Sequence, residues 1–328
     1  MAVNYKSYAT AYFLKKRVLK FVSDVFFYSL VVGLCFVILY PLIKTLPLVF
    51  NSIGDLGNPD IVWIPIRPSV VSFRAAIRLV YGNGLIMLQT LLYVAVIMVI
   101  QVFMSAMSGY ALARIKFFGS NLILYLVILT FLIPPQSMLI SQYLRFKHFD
   151  IFGIMTMLSG GPLDLINKQG TLFILAIFGF GVNQSLFVFI FRQFFKGMPI
   201  ELEEAAFLDG CGFYRTYFNI MLPNALPAIM TVAVLSFVWN YGDTYLTGYF
   251  HPQGPYLANV LTQTFMPARA EFTLKAIGIW YNEPSVNTFA FDAVKQAAAL
   301  LYLIPLLITY FFAQGKLVEN IERVGIVG

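Results

Sequence analysis

The chain has 328 residues, 59% of them hydrophobic and 11% charged, with a net charge of +7 and a mean hydropathy of +0.79. A soluble domain carries about a quarter of its residues as charges to cover its surface, so a water-soluble globule is excluded and a multi-span membrane protein is expected. The basic excess is not a nucleic-acid footprint. Its densest group (Lys15, Lys16, Arg17 and Lys20) stands just ahead of an apolar run, as a cytoplasmic membrane anchor does.

That first run, "VFFYSLVVGLCFVILYPLI", is longer than a signal-peptide core and is followed by no small-x-small cleavage site, so it reads as a retained span. Apolar runs of about 17–25 residues without strict alternation favour helices over a barrel. Six spans are expected, at roughly 25–47, 85–112, 121–143, 171–195, 223–247 and 294–314. An even number puts both termini on one side, and the basic cluster puts that side in the cytoplasm. The expected organisation is a cytoplasmic tail over 1–24, a six-span domain over 25–315 and a second cytoplasmic tail over 316–328.

Within the second run, Ser105, Gly109 and Ala113 recur every fourth residue, a small-residue stripe that lets helices approach closely. In the third, Pro134 and Pro135 remove two amide donors and must disturb the helix near its middle. Asn183 and Gln184 interrupt the fourth. Asn240 and Asp243 lie near the outer end of the fifth, beside Trp239 and Tyr241. Amides, a carboxylate and aromatic rings suit a sugar's hydroxyls and apolar faces, which makes these six residues candidates for a solute path. They suit interhelical hydrogen bonds and an interfacial aromatic belt equally well.

Between the fourth and fifth runs lies "KGMPIELEEAAFLDGCG", too short to span and too polar for lipid. Pro199 suits a first helical turn, and Glu201, Glu203 and Glu204 complement the positive end of a helix dipole. Gly210 stands where a left-handed cap is expected. The segment 199–223 is therefore predicted to be a short cytoplasmic surface helix and its return to the membrane, able to pass force from a soluble partner.

No catalytic or metal-ligating constellation is visible. His148 and His251 have no ligand-spaced companions, Cys35 and Cys211 form no CxxC, and phosphate-loop, HExxH and GxSxG motifs are absent. No cofactor is expected on this chain.

The charged segment also carries a spacing. Glu204-Ala205-Ala206, three residues, Gly210, nine residues, then Ile220, Met221, Leu222 and Pro223 match the EAA-x3-G-x9-I-x-LP signature of bacterial ABC import permeases. "SGYALARIKFFG", "LIPPQSMLISQYL", "FVWNYGDTYL" and "FFAQGKLVENIERVGIVG" resemble stretches of carbohydrate-importer permeases of the MalG-like type, over roughly residues 85–328. The resemblance implies an all-α six-span permease fold with a cytoplasmic coupling helix, located in the bacterial cytoplasmic membrane. It implies a MalF-like second permease, two ATP-binding subunits that carry the ATP and Mg, a solute-binding protein outside and a carbohydrate, an oligosaccharide by preference, as cargo. It assigns coupling to Glu203, Glu204, Ala205, Ala206, Asp209 and Gly210, and implies that the tail from Lys316 to Gly328 reaches between the ATPases.

Two other classes compete. An ion-gradient-driven transporter needs membrane-embedded ionisable residues, and the span centres hold almost none. A membrane enzyme needs clustered His, Asp or Glu at one face, and none is visible.

Overall fold

A computed structural model describes residues 5–58 and 63–325, the side chains of 5–15, 83, 159 and 316–325 excepted. The expectations for the outermost ends of both tails, and for the side chains from Lys316 onward, therefore fall outside the described residues. Among those that are described, the chain is helical, with two isolated β-bridges, Asn51–Pro68 and Phe149–Leu163. It divides into two compact units, residues 1–75 with 274–297, and residues 76–273 with 298–328.

The first unit is dominated by α1 (Tyr5–Val49), which runs through Pro41 and Pro47 without ending. None of its most apolar 18-residue window is buried among the described residues. Past its end, the Asp55 carboxylate accepts from Ser52 Oγ at 2.9 Å and from Arg67 Nη2 at 2.8 Å, closing the following loop.

α2 (Val71–Ala76) ends the first segment of that unit, and in the second unit α3 (Leu85–Arg114) is the central element. The predicted second span corresponds to α3, and the small-residue stripe does what its spacing suggests. A Cβ on Gly109 would stand 2.6 Å from Phe191 Cβ and 2.9 Å from the backbone nitrogen of Arg192, so only glycine permits this helix crossing.

The predicted third span is two helices. α4 (Ser120–Leu132) and α5 (Pro135–Lys147) meet at 101°, because the two prolines end one helix and start the next. The Pro135 carbonyl accepts from Tyr245 Oη at 2.7 Å. A short α6 (Ile154–Ser159) follows.

The predicted fourth span, 171–195, is broken rather than continuous. α7 (Gln169–Ile177) and α8 (Gln184–Gly197) are separated by "FGFGVN", in which Gly179 and Asn183 take left-handed conformations. Neither half is long enough to cross a bilayer alone.

Next come α9 (Glu201–Leu208) and α10 (Phe213–Thr216), then a π-helical turn over Tyr217–Met221. α11 (Leu222–Asn224) continues this stretch, which meets α12 (Leu226–Tyr241) at 74°. The fifth span was expected over 223–247, but its long helix stops at Tyr241, where Gly242 and Asp243 turn the chain. α13 (Leu246–Phe250), α14 (Leu257–Thr264) and α15 (Ala270–Ala276) are short, and α16 (Pro284–Gly325) is the last long helix. Among the described residues three helices are long and apolar enough to cross a membrane, or up to five spans if each bent pair is counted as one.

The core of the second unit is aromatic. Phe187, Phe191 and Phe195 on α8 bury against Ala106 and Tyr110 on α3, with Tyr217, Met221, Ala228 and Val232 completing the cluster. Large rings at i, i+4 and i+8 lie along one face of α8, and Gly109 supplies the close approach that brings α3 onto it.

Candidate functional site

The charged helix α9 is built locally. It starts at Glu201, so Pro199 lies ahead of the first turn rather than in it. A residue before proline is held extended, and Met198 sits at φ −74°, ψ 145°. At the other end Gly210, at φ +81°, forms a double cap. Cys211 N donates to Ala206 O at 2.9 Å and Gly210 N to Phe207 O at 3.1 Å, the paired bonds of a Schellman ending.

The helix presents two different faces. Glu204, Ala205, Asp209 and Gly210 are exposed, together with Leu202, Phe207 and Leu208, the last 89% exposed. Glu203 and Ala206 turn inward. Of the six residues assigned to coupling, four are therefore available to a partner and two hold the helix onto its own chain.

Glu203 is held by α3. Arg114 Nε lies 3.4 Å from Glu203 Oε1, with the two side chains only 11% and 10% exposed, and Arg114 Nη2 donates to Met198 O. Tyr110, one turn back on α3, interacts with the same carboxylate. Its ring packs 5.6 Å from that of Phe213 and 4.9 Å from that of Tyr217. Sequence reading missed Arg114, although a lone arginine closing an apolar run ("ALAR") was the signal.

The six residues considered for a solute path do not form one surface. Asn240 is buried and donates to Gln101 Oε1 at 2.8 Å and to Ser236 O at 2.8 Å, while Ser236 Oγ reaches the same Gln101 oxygen at 2.6 Å. Gln184 is buried in the break before α8. Its Oε1 accepts from Gly181 N at 3.1 Å and its Nε2 donates to Ala176 O at 2.7 Å. Gln101 Nε2 adds a bond to Val182 O at 3.3 Å. The opened turns are thus satisfied by side chains, as backbone at membrane depth requires.

Tyr241 and Tyr302 exchange hydroxyl-to-carbonyl bonds of 3.1 and 2.9 Å, tying α12 to α16. Asp243 accepts from the backbone nitrogens of Tyr245, Leu246 and Thr247 at 3.0, 3.1 and 2.9 Å, starting α13. Trp239 is half-buried and stacks on Phe187 at 5.5 Å, and Asn183 is exposed. Four of the six are thus occupied inside the chain, which leaves Asn183 and part of Trp239 free. Gln101, the hub of the network, is an amide near the middle of the second apolar run, which carries a second one, Gln89, close to its start. A polar residue inside a span was the signal that could have found it.

Comparison with known proteins accords with this architecture. The sequence model of the binding-protein-dependent transport system inner membrane component family matches residues 101–323. A probable starch degradation products transport system permease protein, AmyC of Thermoanaerobacterium thermosulfurigenes, is 30% identical over 69% of this chain and 69% of its own length. The maltodextrin transport system permease protein MalD of Streptococcus pneumoniae is 24% identical over 91% of this chain and 93% of its own. The fold is similar, with a TM-score of 0.62 at 15% identity, to a chain in the crystal structure of a bacterial ABC transporter involved in the import of the acidic polysaccharide alginate. The similarity covers 92% of this chain and 97% of that one. The chain is a multi-pass ABC transporter permease and belongs to the family of binding-protein-dependent transport system inner membrane components.

Proposed function

We propose that this chain is one of two permease subunits of an ATP-driven importer that brings a carbohydrate, most simply an oligosaccharide, into the cell. Two ATPase subunits carrying ATP and Mg bind the cytoplasmic face, and a solute-binding protein delivers the sugar from outside. This chain holds no cofactor and does no chemistry of its own. The six-span arrangement over residues 25–315 counts α1, α3, α4 with α5, α7 with α8, the bent stretch ending in α12, and α16 as crossings. Both tails and α9 then lie in the cytoplasm.

The observation that carries the reading is the outer face of α9. A helix of eight residues, closed by Gly210 at its C-terminal end, exposes Leu202, Phe207 and Leu208 beside Glu204 and Asp209. An apolar centre with a charged rim is the composition of a protein-docking surface. The saccharide cargo rests on the relatives' sugars, and the ion-gradient alternative has no observation in its favour. Uptake in proteoliposomes holding the full complex is expected to follow internal ATP and to be indifferent to collapse of proton and sodium gradients. Uptake that persists without ATP and stops on collapse of a gradient overturns the reading.

A further inference from the structure

The terminal turn of α3 grips the charged segment at three places. Ahead of α9, Arg114 Nη2 holds the Met198 carbonyl. In the middle of α9, Arg114 Nε faces the buried Glu203 carboxylate at 3.4 Å. Beyond α9, Tyr110 packs on Phe213 and Tyr217. One turn above, Gly109 locks the same helix against α8 with no space for a methyl group. Any displacement of α9 is therefore delivered first to the inner end of the α3–α8 pair.

We propose that Arg114 is the positioning residue of the coupling step. Its buried ion pair with Glu203 makes α9 and α3 move as one body when the ATPases move α9. The proposal rests on α9 being the coupling helix. The geometry distinguishes this pair from a fixed structural bond. Arg114 Nε and Glu203 Oε1 meet as charges, yet neither atom has a hydrogen-bond partner among the described residues, and nor does the buried Tyr217 hydroxyl. Buried polar atoms are nearly always satisfied, so three unpaired ones around one short helix call for an explanation beyond packing. The attraction between two buried charges is weakly screened, so it holds α9 to the end of α3 while both are displaced together.

The pair also divides labour on α9. Glu204, one residue on, points outward to a partner, while Glu203 points inward to α3. A helix that must transmit force needs both a docking face and an anchored face, and adjacent glutamates on opposite sides supply them.

The test uses the assembled transporter, with this chain lacking Cys35 and Cys211 and carrying spin labels at Glu201→Cys and Lys116→Cys, both exposed positions. In the otherwise native complex, ATP with Mg is expected to leave one narrow distance between the labels. With Glu203→Gln, which keeps shape and removes charge, ATP with Mg is expected to add a second distance, while hydrolysis continues and subunit stoichiometry is unchanged. Arg114→Lys retains the charge and is expected to keep the single distance. Arg114→Gln serves if Glu203→Gln does not assemble. A single narrow distance in the charge-removing variants with ATP and Mg present overturns the proposal. So does the same second distance without ATP, because a merely structural contact would loosen in both conditions. Failure of the coupling reading itself is read separately, from Leu208→Glu. That reading expects loss of the ATPase subunits on co-purification, and full retention overturns it whatever the labels report.

Discussion

Gly210 and Gly109 are both indispensable glycines for different physical reasons. Gly210 is left-handed with open space around its Cα, so a substitution strains the backbone and nothing else. Gly210→Val is expected to cost roughly 1–2 kcal/mol, concentrated on the end of α9. Insertion and pairing with the second permease should survive, and binding-protein-stimulated ATPase activity should fall. Full stimulation in the variant would make Gly210 an ordinary turn residue. Gly109 has an ordinary helical conformation but no room. Gly109→Leu is expected to lower the thermal midpoint of the purified complex, since overpacking at a helix crossing costs about 1–3 kcal/mol or more. An unchanged midpoint would mean that α3 and α8 separate easily.

His251 gives a pH dependence at the same scale. Burial holds its pKa below the ordinary 6.5, and its Nδ1 lies 2.7 Å from Tyr256 Oη. The folded state favours the neutral ring, so this contribution is complete above about pH 6.5 and is lost as pH falls through the lower folded value. Hydrogen exchange over residues 251–257 is expected to accelerate as pH drops from 7.5 to 5, after correction for intrinsic rates. The change should disappear in His251→Phe. Equal acceleration in both proteins would remove His251 from the account.

At the scale of elements, the break between α7 and α8 is the part that depends most on distant side chains. Its opened turns are held by Gln184 from the next turn and by Gln101 from α3. Replacing Gln184 by leucine leaves the Gly181 amide unpaired, at about 1–3 kcal/mol, and leaves the Ala176 carbonyl with its 3.4 Å bond from Gly179 N. The predicted result is a lower melting point and reduced uptake. A variant as stable as the native complex would show that water or lipid headgroups replace the side chain. The break was only half legible in the chain. Asn183, Gln184 and the two glycines announce an interruption, but which groups satisfy it depends on a residue some eighty positions away. The bend at Pro134 was legible in full, because proline acts on its own helix and needs no distant partner.

For the whole molecule, the proposed topology makes a direct prediction. In a chain lacking Cys35 and Cys211, a cysteine at Asp209 should react with an impermeant thiol reagent only after cells are opened. One at Gln253 should react in intact cells. The reverse pattern would invert the protein in the membrane and remove α9 from reach of any cytoplasmic ATPase.

The sequence by itself determined the membrane class, the helical fold and the short capped helix with its EAA spacing. Each rests on composition or on contacts within a few residues, and local chemistry decides such features. Only the tertiary structure decided what the polar residues do. Asn240 and Asp243 look alike in the chain, yet one is bonded to Gln101 on another helix and the other caps its own next turn. Glu203 and Glu204 are neighbours, yet one is buried against Arg114 and the other is exposed. A buried polar group must find a partner, and whether that partner is four residues away or more than a hundred is set by how the helices pack.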